Sequence, residues 1–196
     1  MELKDSRTKE NLMRAFVGES QARNRYTIGG ELAKKEGLYI VQQAFDYTAD
    51  QERAHAKVYI DALKEFTGQN IGVGPAEYPI EVYDTTLEAL KAAQHDEYQE
   101  WESVYKEFAE VAKEEGFPLI ASHFTKISEV EKVHGDRFGR LATELANGAL
   151  FKKETEVKWM CTNCGFIYEG KEAPKVCPVC SYPQGYYILF AQSLFE

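Results

Sequence analysis

The chain has 196 residues, 44% of them hydrophobic, with 32 acidic against 23 basic side chains and a formal net charge of −9. That length buries one good core plus a small appendage, and the acidity excludes a general nucleic-acid binder, which needs a basic surface. No apolar run reaches the ~18 residues of a membrane span, and the charged start Met1–Arg7 lacks the apolar stretch of a secretory signal, so a cytoplasmic protein is expected.

Residues 5–35 read as one amphipathic helix, with Leu12, Ala15, Phe16, Ala22, Tyr26 and Leu32 near helical spacing and Gly37 as the stop. A second helix is expected from Leu38 to Glu65. Between Thr67 and Thr85 the chain is broken by Gly68, Gly72, Gly74, Pro75 and Pro79. This stretch is too long for a hairpin between antiparallel neighbours. It is long enough to run the length of a helix of ~27 residues, ~40 Å at 1.5 Å per residue, and one such crossover separates this topology from a simple up-down bundle. A third helix is expected over 86–115, with Thr85 or Thr86 as its N-cap. A fourth begins at Pro118 and runs to Asn147-Gly148. The charged segment Lys152–Glu156 reads as a linker into 157–192, which is rich in Cys, Gly, Pro and aromatics and has no helical period. The expected division is therefore 1–150 and 156–196.

The second and fourth helices each carry a Glu-x-x-His pair, Glu52/His55 and Glu131/His134. Residues i and i+3 share a helix face, so each pair directs a carboxylate and an imidazole at one point. The pairs stand at a constant offset of 79 residues (52 to 131, 55 to 134). The same offset maps Tyr26 onto Tyr105, Phe45 onto Phe124, and the Ala33–Gly37 turn onto Ala112–Gly116. Two helical hairpins repeat, and the candidate metal ligands repeat with them.

Two such helices form half of a dinuclear carboxylate site in a four-helix bundle, in which the other two helices add glutamate. On the first helix Glu19 is the candidate, flanked by apolar residues, with Gly18 beside it to allow close approach; Glu10 and Glu31 read as solvated. On the third, Glu97 and Glu100 share a face, while Glu102 and Glu107 point elsewhere. Glu19, Glu52, His55, Glu97, Glu100, Glu131 and His134 together suit two non-haem iron or manganese ions, and five buried glutamates without cations would be prohibitive. Tyr26 and Tyr105 are placed either as core aromatics or as phenols beside the metals, acting as hydrogen-bond donors or proton sources. His95 and His123 lack an acid at i−3 and read as structural or exposed.

Cys161-x-x-Cys164 and Cys177-x-x-Cys180 form two knuckles that bind one tetrahedral ion, leaving the main body free of disulfides. Zinc ribbons and single-iron thiolate centres share this geometry, and spacing alone slightly favours zinc. An aromatic jacket of Trp159, Phe166, Tyr168, Tyr186, Tyr187 and Phe190, together with the use a redox centre has beside a di-iron site, favours iron.

These residues together resemble the rubrerythrin family over nearly the whole chain. The stretch Ala15–Tyr26 is similar to that family's first helix, Thr48–Lys57 to its second, and the two cysteine knuckles to its rubredoxin-like domain. The resemblance implies a mainly α fold: a ferritin-like four-helix bundle with a long crossover, followed by a small rubredoxin-like metal-binding domain. It implies a peroxidase that reduces hydrogen peroxide to water at a di-iron site in oxidative-stress defence, with electrons passing through an Fe(Cys)4 centre. Glu19, Glu52, Glu97, Glu100, Glu131 and His134 would be the di-iron ligands. His55 would exchange with Glu100 as one iron changes oxidation state, and Tyr26 and Tyr105 would hydrogen-bond the ligands. A rubredoxin or NAD(P)H-dependent reductase would supply electrons, and a homodimer or higher oligomer is expected. Asp96 departs from the family, in which Gly commonly precedes the first glutamate of the third helix. A ferroxidase or iron-storage protein is the rival of the same fold, and a zinc-ribbon interaction module is the non-enzymatic one.

Overall fold

The computed structural model describes residues 1–193. Four helical runs form a bundle: α1 (Arg7–Lys35), α2 (Tyr39–Ala62), a third run split into α3 (Thr86–Gln99) and α4 (Tyr105–Glu114), and α5 (Pro118–Ala146). The ends follow from local chemistry. Ser6 Oγ accepts the Lys9 N–H and caps α1, and Thr85 and Glu88 close a reciprocal capping box on α3. At the two hairpin turns Gly37 and Gly116 take φ of 75° and 87°, the left-handed values that release a helix. The capping bonds repeat as well. Leu38 N–H donates to Ala33 O at 2.9 Å, and Phe117 N–H to Ala112 O at 2.8 Å. The second helix ends at Ala62, short of the expected Glu65, and a 3-10 turn over Lys64–Phe66 follows it.

The repeat is therefore a repeat of structure. Around Tyr26 the rings of Phe45 and Phe138 lie at centroid distances of 6.1 and 4.9 Å, with 5.1 Å between the two phenylalanines. Around Tyr105 the rings of Phe124 and Tyr59 lie at 6.0 and 5.7 Å, with 5.0 Å between them. These trios seed two core clusters, one at each end of the bundle, and the candidate site lies between them.

The third helix departs from expectation. Residues Glu100–Val104 form a π-helical turn, closed by the Tyr105 N–H donating to Glu100 O, five residues back. A π-turn is an α-helix with one residue inserted, and such insertions gather at functional sites. This one explains an irregularity in the repeat. Glu19 precedes Tyr26 by seven residues, whereas Glu97 precedes Tyr105 by eight. The wide turn absorbs the extra residue, so both glutamates lie two turns from their tyrosines.

The C-terminal unit is a three-stranded antiparallel sheet in the order β2-β1-β3, built from β1 (Lys152–Cys161), β2 (Ile167–Glu172) and β3 (Tyr187–Leu189). Lys152–Glu156, expected as a linker, is the first half of β1, separated by a register shift from the regular pairing that starts at Val157. Trp159 and Tyr187 are fully buried in its core, and the Trp159 indole N–H donates to Gly170 O at 2.9 Å; Tyr168, expected in the jacket, is exposed. The sheet unit sits on the bundle near the start of α2. Tyr186 stacks on Tyr39 with centroids 4.2 Å apart, and Gln43 Nε2 donates to Thr162 Oγ1 at 3.0 Å. No helix among the described residues is long and apolar enough to cross a membrane. Residues 194–196, the end of the expected second unit, lie outside the described residues.

Candidate metal centres

Side chains from α1, α2, α3 and α5 converge between the aromatic clusters. Their donor atoms form two groups of four, Glu19/Glu52/His55/Glu131 and Glu52/Glu97/Glu131/His134, each with its atoms within 4.8 Å of one another. Glu52 and Glu131 belong to both groups, each presenting one oxygen to each histidine. His55 Nδ1 lies 3.1 Å from Glu52 Oε2 and 3.0 Å from Glu131 Oε1. His134 Nδ1 lies 2.9 Å from Glu52 Oε1 and 2.9 Å from Glu131 Oε2. Two bridging carboxylates between two imidazoles is the arrangement of a dinuclear centre.

The donor set fits metal ions better than it fits itself. Glu19 Oε2, Glu52 Oε1, Glu97 Oε2, both Glu131 oxygens and His134 Nδ1 are buried without a hydrogen-bond partner. Several lie at ion-pair distance from their neighbours without forming a hydrogen bond. In the metal-free chain protons take the place of cations. Burial and the neighbouring carboxylates push Glu19 and Glu97 well above the usual carboxylate range. Burial works against protonated imidazole, but Glu131, Glu52 and Glu97 outweigh it and raise His134 to about 12. His55 is raised in the same way by Glu131, Glu19 and Glu52. Glu52 is the exception: burial would raise it, but the close imidazoles of His134 and His55 prevail and bring it down to about 2.

The tyrosines cross over between the halves. Tyr26 Oη donates to Glu97 Oε1 and Tyr105 Oη donates to Glu19 Oε1, both at 2.5 Å. Burial and the nearby carboxylates hold both phenols well above their ordinary range. The geometry places both phenols as hydrogen-bond donors to the carboxylates of Glu97 and Glu19.

Glu100 stands outside both groups of donors. It opens instead on a pocket of about 570 Å³ between α1, the π-turn and the crossover, lined by Gly18, Tyr78, Asp96, Tyr105 and Phe108. A Cβ at Gly18 would meet Glu100 Oε1 and the Tyr78 ring at 3.9 Å, an ordinary contact. Gly18 is thus roomy and is not needed for close approach. Asp96 faces Arg25, not solvent: Arg25 reaches Asp96 Oδ2 at 3.3 Å and Glu81 of the crossover at 3.1 Å, all three side chains nearly buried. His95 and His123 lie outside both groups.

Residue-by-residue reading missed the groups behind His134. Its Nε2 meets Gln51 Oε1 at 3.1 Å, and Arg137 donates both to that oxygen at 3.2 Å and to Thr48 Oγ1 at 2.7 Å. A polar side chain one position before a ligand glutamate is a faint signal. It gains meaning only when the opposite helix is known.

In the sheet unit all four sulfurs lie within 4.8 Å of one another. Cys161–Cys180 and Cys164–Cys177 are each separated by 3.7 Å, too far for a disulfide and close to the ~3.8 Å edge of a tetrahedron with ~2.3 Å metal–sulfur bonds. Burial raises Cys161 to about 12. Burial also opposes ionisation at Cys177, but the Tyr187 hydroxyl and the N–H groups of Cys180 and Val179 outweigh it and bring that thiol to about 6. The donor set fits a single thiolate-bound ion.

Comparison with known proteins follows the same division. A family model described as "Rubrerythrin" matches residues 10–142, and one described as "Rubrerythrin, rubredoxin-like domain" matches 159–188. The chain is 44% identical over 192 residues to the rubrerythrin of Clostridium perfringens, covering 97% of this chain and 98% of that protein. It is 41% identical over 187 residues to the rubrerythrin of Nitratidesulfovibrio vulgaris, covering 95% and 96%. Among solved structures it resembles "Fully reduced state of nigerythrin (all ferrous)", with a TM-score of 0.63, 25% identity, and coverage of 95% of this chain and 90% of that one.

Proposed function

Because the chain belongs to the rubrerythrin family, a ferritin-like bundle carrying a rubredoxin-like domain, we propose that it reduces hydrogen peroxide to water. Two iron ions would be held by Glu19, Glu52, Glu97, Glu131 and His134, with His55 and Glu100 exchanging as ligands, and a third iron by Cys161, Cys164, Cys177 and Cys180. The observation that carries this reading is the doubly bridged pair of four-donor groups on one chain with a four-thiolate site. When bound, the paired ferrous ions supply the two electrons of H2O2 + 2 e− + 2 H+ → 2 H2O and act as Lewis acids on both oxygens; the thiolate-bound iron supplies replacements.

The remaining work belongs to the side chains. Tyr26 and Tyr105 fix Glu97 and Glu19 by short bonds, so the terminal carboxylates hold their geometry when charge changes nearby. Glu52 and Glu131 keep the two positions together. Oxidation adds positive charge at the centre, which favours a carboxylate over a neutral imidazole. Glu100, poised at the pocket and outside the donor groups, is suited to enter as His55 leaves, and the same pocket gives peroxide a way in. A rubredoxin or NAD(P)H-dependent reductase is the proposed electron donor and a homo-oligomer the proposed assembly, as the resemblance to the family implies.

The test is to reduce the iron-loaded protein without oxygen and mix one portion with peroxide and another with oxygen. Fast return of the ferric-thiolate colour with peroxide and slow return with oxygen is expected. Faster oxidation by oxygen would favour a ferroxidase, and zinc at the cysteines with no chromophore would reject the electron route. Glu100→Gln is expected to keep iron at the thiolate site but to slow peroxide oxidation by roughly tenfold or more, as loss of a group engaged only during turnover does.

A further inference from the structure

The crossover between α2 and α3 carries neither helix nor strand over residues 69–83, yet α1 holds it at two points. Arg14 donates to Val73 O and Gly74 O, both at 3.2 Å, and its own carbonyl accepts the Tyr78 hydroxyl at 3.1 Å. Further on, Arg25 meets Glu81 at 3.1 Å and Asp96 of α3 at 3.3 Å. Glu81 is nearly buried, although Ile80 and Val82 on either side of it are 93% and 89% exposed. The chain thus leaves two aliphatic side chains in water to turn one carboxylate inward, an arrangement that needs the charge of Arg25 beside it. Arg14, Gly18 and Arg25 follow at spacings of four and seven (14, 18, 25), which is one face of a helix. The crossover is strapped along that face, and Gly18 lies between the two posts.

The strap brings one ring to the inner end of the pocket. A carbon at the Cβ position of Gly18 would touch Tyr78 Cε1 and Glu100 Oε1, each at 3.9 Å. The ring and the carboxylate therefore border the same point, where Glu100 opens on the pocket. We infer that Tyr78 sets the size of the hydroperoxide that reaches Glu100 and the dinuclear centre, and that Arg14, Arg25, Glu81 and Asp96 are positioning residues that hold it there. The pocket as a whole, about 570 Å³, has room for an aryl hydroperoxide; the restriction lies at its inner end. Hydrogen peroxide passes beside the ring, whereas the branched carbon of cumene hydroperoxide meets it. The Arg25–Asp96 pair runs alongside the Tyr26–Glu97 bond, so the strap is fixed to the two helices that build this part of the centre. For either substrate the reaction is ROOH + 2 e− + 2 H+ → ROH + H2O, with R hydrogen or cumyl, electrons from the paired ferrous ions and protons from solvent.

This inference rests on the proposed reaction for its substrate, but its first test needs no turnover. In the zinc-loaded chain Glu100 is labelled with a water-soluble carbodiimide and glycinamide, and mass spectrometry compares its rate with that of the exposed Glu102. Tyr78→Ala should bring the labelling of Glu100 towards that of Glu102, and Tyr78→Phe, which keeps the ring, should not. In the second test the reduced, iron-loaded protein is mixed with hydrogen peroxide or with cumene hydroperoxide, and return of the ferric-thiolate colour is timed. Hydrogen peroxide should be much the faster with the unmodified chain. Tyr78→Ala should raise the cumene-to-hydrogen-peroxide rate ratio roughly tenfold or more, the scale on which steric fit in a pocket discriminates between substrates. Glu81→Gln, which unties one end of the strap, should raise the ratio less, and Tyr78→Phe should leave it near its original value. Equal rates for the two hydroperoxides in the unmodified chain would overturn the inference, as would an unchanged ratio or unchanged labelling in Tyr78→Ala. A ratio unmoved by Glu81→Gln would reject the positioning role of the Arg25 anchor. If hydrogen peroxide oxidises no form of the protein while labelling responds to Tyr78→Ala, the proposed reaction falls and the placement of Tyr78 stands.

Discussion

At the residue scale the site is a store of protons that metals displace. Glu19, Glu97 and His134 all bind protons more tightly in the folded metal-free chain than when unfolded. The stability they contribute is full below their ordinary values, 4.5 for the carboxyls and 6.5 for the imidazole. It drains away above those values, for His134 towards about 12. Glu52 has the opposite sign, contributing above its ordinary 4.5 and losing that contribution only as pH falls towards about 2. Between about pH 5 and 9 the folded metal-free chain therefore holds more protons than the unfolded one, so its stability must fall as pH rises. Each 1 kcal/mol lost lowers the melting temperature by about 2–4 °C for a chain of this size, and a fall of several degrees across that window is expected in calorimetry. The metal-loaded protein should show a much flatter profile, and loading at pH 7 should release protons measurable as a buffer-dependent heat. A metal-free melting temperature that rises over the same range would mean that these groups are not protonated together. The ligand identities behind this argument were legible in the sequence, because Glu-x-x-His twice in register is a specific pattern. Gln51 and Arg137 were not: their meaning depends on which helix lies opposite, and no local pattern reports that.

At the scale of elements, the helix ends were readable where chemistry is local: Gly37 and Gly116 at the hairpin turns, Thr85 at the capping box, Pro118 at a first turn. The π-turn was hidden, since a one-residue insertion barely disturbs hydrophobic periodicity. Its trace was a slip in the repeat offset, from 79 at Tyr26/Tyr105 to 78 at Glu19/Glu97. If the insertion serves to place Glu100, removing one exposed residue from it should be tolerated by the helix and felt by Glu100. Ser103 is suitable, as its hydroxyl bonds only the Gln99 carbonyl. Its deletion closes the wide turn into α-helix, keeps Glu97 and Tyr105 two turns apart, and so preserves the bonds to Tyr26 and Glu19. The expected outcome is an unchanged helical signal and two metals bound, with peroxide oxidation slowed to the level of Glu100→Gln. Loss of both metals would instead assign the turn to the framework of the site.

At the scale of the whole molecule, two units meet through a contact in which one glycine is indispensable. A Cβ at Gly185 would lie 1.9 Å from the Gly37 carbonyl oxygen and 3.1 Å from the Tyr39 ring. The first of these is backbone that cannot step aside, because Gly37 is committed to its left-handed turn. Gly185→Ala must therefore displace the sheet unit at this seat, weakening the Tyr39–Tyr186 stack and the Gln43–Thr162 bond. Overpacking of this kind costs about 1–3 kcal/mol, enough to shift the sheet unit on the bundle even though Arg140–Gln192 and Lys153–Glu144 also join the two. Neither metal site touches Gly185, so both should load normally and each unit should keep its fold. What changes is the placement of one unit on the other. In the variant, peroxide should still oxidise a pre-reduced dinuclear site in one fast turnover, while the ferric-thiolate colour returns more slowly than in the unmodified protein. Stopped-flow absorbance separates these two events in one experiment. An unaltered rate of colour return would mean that electrons do not depend on this seat, and that the working route between the sites runs through a contact between chains.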